Sequence, residues 1–261
     1  LERWRDRDAA AWRTFSDLTA GERAAIAFAE QFTTDVSSID ERQQAALVDA
    51  LGAEDALTFA HALYVLDVAP RAWAALDALF GPSPAPSSED ERVAADLDDD
   101  LWGAIQVNIR TVPGLDALDP VTSELVRLRV ARQHNCRICK SLRSETAFLS
   151  GADETTFDAV DSYDTAALAP AVKAALALTD AIVWTPGRIP GAVIDRVRAH
   201  FTPAQQVELV LDVARHSTNK FAVSMAVDTP RVDSGFEVYR VDPDGSTTYG
   251  LARPSVGATT A

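Results

Sequence analysis

The sequence predicts an all-α fold with a short β-hairpin near its C-terminal end. Ala and Leu recur while β-branched residues do not dominate, a balance that favours helices because these side chains lose little freedom in one. Apolar residues repeat at helical spacing along most of the chain. Strand-like alternation is confined to FEVYRVDPDGSTTYGL, where short runs flank Asp-Pro-Asp-Gly. That hairpin is expected either to cap the helices or to form an oligomer contact.

Three helices are predicted between Leu18 and Trp73. LTAGERAAIAFAEQF puts Leu18, Ala25, Ile26, Ala29 and Phe32 near one face, and DERQQAALVDAL and EDALTFAHALYVL follow. The Pro- and Ser-rich stretch Gly81 to Arg92 reads as an exposed linker, extended by the acidic run Asp96, Asp98, Asp99 and Asp100. The predicted organisation is a first helical half over 1–80, a linker over 81–100, a second helical domain over 101–230 and a tail over 231–261.

In the second domain DLWGAIQVNI predicts a helix. The turn VPGLDALDP leads into another, with Asp119 as N-cap and Pro120 at the first helical position. This helix should fray near Gln133, His134 and Asn135. Asn135 is the expected N-cap of a helix running CRICKSLRSETAFL and stopping at Gly151. APAVKAALALTDAIV, IPGAVIDRVRAHF and TPAQQVELVLDVARHSTNKFAVSMA complete the helical pattern.

A shift of 150 residues aligns Leu18, Ala24, Ala25 and Ala27 with Leu168, Ala174, Ala175 and Ala177, and Ile39 with Ile189. The same shift pairs Leu51, Leu57, Phe59 and Leu63 with Phe201, Val207, Leu209 and Val213. We read this as an internal duplication whose first copy, lacking cysteines, packs rather than reacts.

Asp and Glu number 39 against 24 Lys and Arg, a net charge of −15, which argues against nucleic acid and anionic membrane surfaces as partners. No run approaches the roughly 18 apolar residues of a membrane span. The start, LERWRDRDAAAW, has no apolar signal core. The expected location is the cytoplasm. Two cysteines three positions apart exclude a disulfide framework and leave a redox or metal pair. Four histidines supply no recognisable second half of a zinc site, so neither metal nor cofactor is expected.

The chemistry concentrates in ELVRLRVARQHNCRICKSLR, residues 124–143. A CxxC at a helix N-terminus brings both sulfurs across one turn, where the dipole and free N–H groups favour a thiolate. Glu124 stands twelve residues before Cys136, and Cys139 completes the pair. In this motif, over roughly residues 100–230, the chain resembles the alkyl hydroperoxidase D and carboxymuconolactone decarboxylase family. The resemblance implies that family's helical fold and a hydroperoxide or other small-molecule substrate. It also implies an unidentified thiol reductant and a homo-oligomer, for which a trimer is the expectation. It implies Cys139 as nucleophile, Cys136 as resolving partner and Glu124 in a proton relay.

The family motif places a His four residues beyond the second Cys, and here that residue is Arg143. Arginine stays protonated and cannot take a proton from Cys139, although its charge on the same helical face favours a thiolate. His134, two positions before the pair, and His216 in ARHSTNKF are the candidate replacements. If the two helices turn around His134, Glu124 and Arg143 fall opposite each other. They are then expected to pair, either orienting the site or as a structural bridge. Trp102, Trp184 and Phe148 are candidates for an apolar pocket wall or for core, and Asn219 for helix packing. The predicted activity is thiol-dependent hydroperoxide reduction. The alternatives are a cofactor-free decarboxylase or lactone-processing enzyme, and a helical assembly protein with a structural or sensing pair.

Overall fold

The computed structural model describes residues 8–82 and 101–254; most of the predicted linker, its acidic run and both chain ends lie outside the described residues. As the sequence predicts, the chain is mostly helical with a short hairpin near its C-terminal end. The first trio is α1 (Ala20–Asp35), α2 (Glu41–Leu51) and α3 (Ala53–Phe80). Next come α4 (Leu101–Thr111) and α5 (Pro120–Gln133), then the short helices α6 (Arg137–Lys140), α7 (Glu145–Leu149) and α8 (Glu154–Asp158). The second trio is α9 (Pro170–Trp184), α10 (Gly191–His200) and α11 (Pro203–His216), followed by α12 (Asn219–Ser224).

The two trios repeat at constant spacing: Ala20 and Pro170, Glu41 and Gly191, and Ala53 and Pro203 each start helices 150 residues apart. A 3₁₀ turn follows the first helix of each, at Val36–Ser38 and Pro186–Arg188. The helix starts are set by local chemistry. Thr19 with Glu22, Asp40 with Gln43 and Thr202 with Gln205 form capping boxes, and the Asp119 carboxylate accepts from Val121 and Thr122 N–H groups ahead of Pro120. At the trio interface Tyr64 of α3 donates its hydroxyl to the Ala214 carbonyl of α11 at 3.1 Å, again 150 residues away.

Two apolar clusters fill the interior. The smaller joins Phe28, Phe32, Leu47, Leu63 and Tyr64 to Ile105 of α4. The larger packs Leu125, Val126 and Leu128 of α5 against Leu176 and Leu178 of α9, Val197 of α10 and Leu209 of α11. Helix α3 feeds both, with Leu63 and Tyr64 in one and Ala75 and Leu79 in the other. Burying each large aliphatic or aromatic side chain stabilises the fold by about 1.5–3 kcal/mol before entropy is counted. A buried polar tie adds direction, because Asp67 of α3 accepts from Lys220 at 2.6 Å and Arg71 at 2.7 Å.

Three local departures from the sequence expectation matter for the site. Asn135 is not the N-cap of the next helix; it has φ +55°, a left-handed conformation that Asn tolerates, and Cys136 caps instead. The expected helix over 136–149 is interrupted by strand β1 (Leu142–Ser144), which pairs parallel with β2 (Glu237–Val241). β2 in turn pairs antiparallel with β3 (Thr247–Leu251), so the predicted hairpin becomes part of a three-stranded sheet. The cause is competition for backbone groups. In a continuous helix the Cys139 and Leu142 carbonyls and the Ser144 N–H would pair within the helix. Here Arg127 takes both carbonyls at 2.8 Å, Glu124 accepts from Ser144 at 3.1 Å, and the Glu237 N–H reaches the Ser141 carbonyl at 2.8 Å. The predicted long helix over 202–226 also breaks, between α11 and α12. There the Ser217 and Thr218 hydroxyls bond back to the Val213 and Arg215 carbonyls.

Among the described residues no helix is long and apolar enough to cross a membrane, and no group of three His, Cys, Asp or Glu side chains could hold a metal ion.

Candidate functional site

The left-handed turn at Asn135 lets the Cys136 N–H reach back to the Ala131 carbonyl at 2.9 Å, which drives the Cys136 side chain into the interior at 0% exposure. Cys139, one turn on, stays half-buried and is bonded to Cys136 in a disulfide, with Cα atoms 5.3 Å apart. Asp228, from the segment after α12, pins this turn: its carboxylate accepts from the Arg137 N–H at 2.7 Å and its carbonyl from the Ile138 N–H at 3.0 Å. α6 is a single turn of four residues, so the helix dipole offers the pair less than the longer predicted helix would.

Glu124 and Arg127 lie on the buried face of α5, one turn apart. Arg127 donates to both Glu124 oxygens, from Nε at 2.6 Å and Nη2 at 2.7 Å. The Tyr239 hydroxyl of β2 adds a bond to Oε2 at 3.1 Å, and the Ser144 N–H one to Oε1. Burial, then the nearby Glu124 charge, push the Tyr239 hydroxyl pKa well up, so it stays a donor. The bridge expected between Glu124 and Arg143 does not form. Arg127 occupies the carboxylate, and the break at β1 carries Arg143 off the face that bears Cys139. Arg143 instead lies between the rings of Phe157 and Phe236, at 5.5 and 5.3 Å, and donates to the Lys140 and Leu142 carbonyls. Burial, and then the Arg127 charge, lower its pKa from the ordinary guanidinium value, and its Nε is buried without a partner.

Beside Cys139 opens a cavity of about 340 Å³ with Ile109, Ile138, Leu142 and Phe221 among its apolar walls. Its polar lining includes Arg127, Arg215, His216, Asn219 and Tyr239. A second cavity of about 320 Å³ shares Arg127, Arg215, His216 and Tyr239 as a wall and contains Glu124, Glu208 and Asp212. Burial raises the Asp212 carboxyl to about 7, against a Ser123 hydrogen bond that favours its charge; its Oδ2 has no partner.

The two histidines separate. His216 lines the Cys139 cavity and is held neutral by burial and by the charges of Arg215 and Arg127. His134 does not line it. It is buried behind Asn219, whose Oδ1 accepts from its Nδ1 at 2.7 Å, and burial with the Lys220 charge lowers its pKa to about 3. The aromatic candidates also lie elsewhere. Trp102 stacks on His61, Phe148 packs on Phe157 in the core, and Trp184 is exposed with its Nε1–H on Gln133. Phe221, Tyr239 and Tyr249 supply the aromatic walls instead.

Sequence reasoning missed Arg127, Arg215 and Tyr239. The spacing of Arg127 three residues after Glu124 is a readable signal for a helical ion pair. Nothing local could have brought Tyr239, from the tail, to a carboxylate 115 residues earlier.

No family model matches the chain, and no solved structure matches it. It is 29% identical over 112 residues to the uncharacterized protein YdfG of Bacillus subtilis, covering 42% of this chain and 76% of that protein. It is 43% identical over 225 residues to the uncharacterized proteins MT2376 and Rv2313c of two Mycobacterium tuberculosis strains, covering 85% of this chain and 79% of each relative. At that identity and coverage, the chain belongs to the family of these two mycobacterial proteins.

Proposed function

We propose that the chain is a cytoplasmic thiol-dependent oxidoreductase of the alkyl hydroperoxidase D type, reducing a hydroperoxide through Cys136 and Cys139. One observation carries the reading: the two cysteines are bonded, and of the two only Cys139 lines a cavity large enough for a small organic molecule. In the reduced protein the Cys139 thiolate attacks the terminal peroxide oxygen. The O–O bond breaks, the alcohol leaves with a proton, and Cys139 becomes a sulfenic acid. The Cys136 thiol then displaces water from it and closes the disulfide. A dithiol reductant returns two electrons and two protons, so no cofactor is required.

His216 lines the same cavity, but burial and the neighbouring guanidinium charges oppose its protonation, so it can orient the Cys139 proton rather than keep it, while the Arg215 charge favours the thiolate. Glu124 does not line this cavity and reaches it through Tyr239 and Arg127, so its part in the relay is one of setting those two side chains. Arg143 and His134, which do not line the cavity, act as supports of the loop and of Asn219. The proposal extends to a homo-oligomer. Leu66, Trp73 and Phe80 are exposed at seven-residue intervals on α3 and form the apolar stripe on which copies would meet, which sedimentation of Trp73→Glu checks.

A second reading has a specific observation behind it. Arg143, at the family's His position, cannot take a proton and does not line the cavity, which favours a redox pair that oxidises without efficient turnover. Mixing the reduced protein with cumene hydroperoxide and following free thiols and dithiothreitol-dependent turnover separates the two. Loss of both thiols with turnover supports peroxidase action, and oxidation without turnover supports the second reading. Inert thiols reject both and leave the decarboxylase or assembly functions.

A further inference from the structure

Arg215 stands out in the wall that separates the two cavities. Its Nε donates to the Ile109 carbonyl at 2.9 Å, and its Nη1 lies against the His216 ring, 3.4 and 3.5 Å from the two ring nitrogens. Among the described residues no carboxylate lies within ion-pair distance of it and its Nη2 makes no hydrogen bond. Arg127, the other guanidinium in this wall, is neutralised by Glu124. The acidic residue one turn before Arg215 on α11, Asp212, lines the second cavity with it and acts on it through its charge without coming within ion-pair distance. Arg215 stays charged although burial lowers its pKa, because a guanidinium holds its proton in proteins.

The lining of the Cys139 cavity contains no Asp or Glu, and with Arg127 neutralised by Glu124 the net charge in that lining comes from Arg215. In a chain of net charge −15, this is a local reversal of sign inside a partly enclosed, apolar space. A guanidinium with free donors in such a space recognises a carboxylate, whose two oxygens match its fork. Ile109, Ile138, Leu142 and Phe221 give a hydrocarbon body somewhere to lie between that charge and Cys139.

We propose that the cavity beside Cys139 binds an organic carboxylate, with the acid group on Arg215, the hydrocarbon body along Ile138, Leu142 and Phe221, and the far end at Cys139. Combined with the thiol chemistry proposed above, on which this last step alone rests, the substrate class is a hydroperoxide that carries a carboxylate, such as a hydroperoxy fatty acid.

The test uses the full chain with its disulfide intact, so that binding is read without redox chemistry. Titration calorimetry compares octanoate with octan-1-ol, which has the same number of carbons and no charge. Octanoate is expected to bind at least tenfold more tightly, and Arg215→Gln to erase the difference while Arg215→Lys keeps part of it. Equal binding of octanoate and octanol by the unmodified protein overturns the inference without recourse to a variant, as does an unchanged preference in a folded Arg215→Gln protein. Octanoate should also slow alkylation of Cys139 by iodoacetamide in the reduced protein, and no protection overturns the placement. Cumene hydroperoxide turnover with equal octanoate and octanol binding sinks this inference alone. Inert thiols with octanoate preference sink the peroxidase reading alone.

Discussion

Arg127 follows Glu124 by one helical turn and holds both of its carboxylate oxygens, while its remaining donors bind the carbonyls of Cys139 and Leu142. One guanidinium therefore neutralises the buried acid and fixes the loop that carries the cysteines.

Replacing Arg127 with Met leaves the buried Glu124 carboxylate without its counter-charge, held only by Tyr239 and Ser144, and removes the Arg127 bonds to the Cys139 and Leu142 carbonyls. The expected loss is about 3–5 kcal/mol of stability, the usual cost of removing one member of a buried pair. Adding Glu124→Gln to Arg127→Met should recover part of it. Denaturant unfolding measures both, and a loss below about 1 kcal/mol for Arg127→Met would show that the pair is dispensable.

In the reduced protein the cysteines should differ in reactivity. Cys139 is half-buried beside a cavity, whereas Cys136 is completely buried. Brief iodoacetamide labelling followed by peptide mass spectrometry should modify Cys139 at least tenfold faster, because access limits the buried thiol. Equal labelling contradicts the assignment of attacking and resolving sulfurs.

The hairpin turn depends on Gly245. Its φ is +79°, and a Cβ there would lie 2.5 Å from the Arg110 carbonyl oxygen of α4. Gly245→Ala should cost about 1–3 kcal/mol through strain and lift the hairpin from α4. Because the same hairpin carries Tyr239 to Glu124, hydrogen exchange at Ser144 should rise in this variant. A melting temperature identical to the parent protein would refute the close approach.

Asp212 gives stability a pH dependence of defined sign. Its folded pKa is raised from 3.8 to about 7 by burial, so the folded state binds more protons than the unfolded state between those values. The protein therefore loses stability from this group as pH rises from about 4 to 7, with no further loss above. His134, lowered to about 3, acts in the opposite sense below its ordinary 6.5, since the unfolded state then binds the proton. Comparing Asp212→Asn with the parent isolates the first contribution: the variant should gain relative stability across pH 4 to 7. A constant difference between the two proteins over that range would exclude a perturbed Asp212.

Much of the architecture was written in local chemistry. Thr19, Asp40, Asp119 and Thr202 start their helices as side-chain caps must, and Asp-Pro-Asp-Gly turns the hairpin. The 150-residue echo of apolar positions corresponds to two helical trios with starts at that spacing. The separation of Cys136 and Cys139 put their sulfurs within one turn and left a redox or metal pair; the structure bonds them as a disulfide.

What tertiary structure decided is how that pair is surrounded. Helical periodicity ran unbroken through Cys136 to Leu149, and only long-range competition for the Cys139 and Leu142 carbonyls and the Ser144 N–H turned the middle into a strand. That single exchange moved Arg143 between two phenylalanine rings, gave Glu124 to Arg127, and opened the cysteine cavity to Arg215, His216 and Tyr239. Sequence spacing specifies partners within a helical turn, where backbone geometry fixes distance. Partners from the tail and from α11 are selected by which buried donor finds which buried acceptor, and that is settled only when the whole chain has packed.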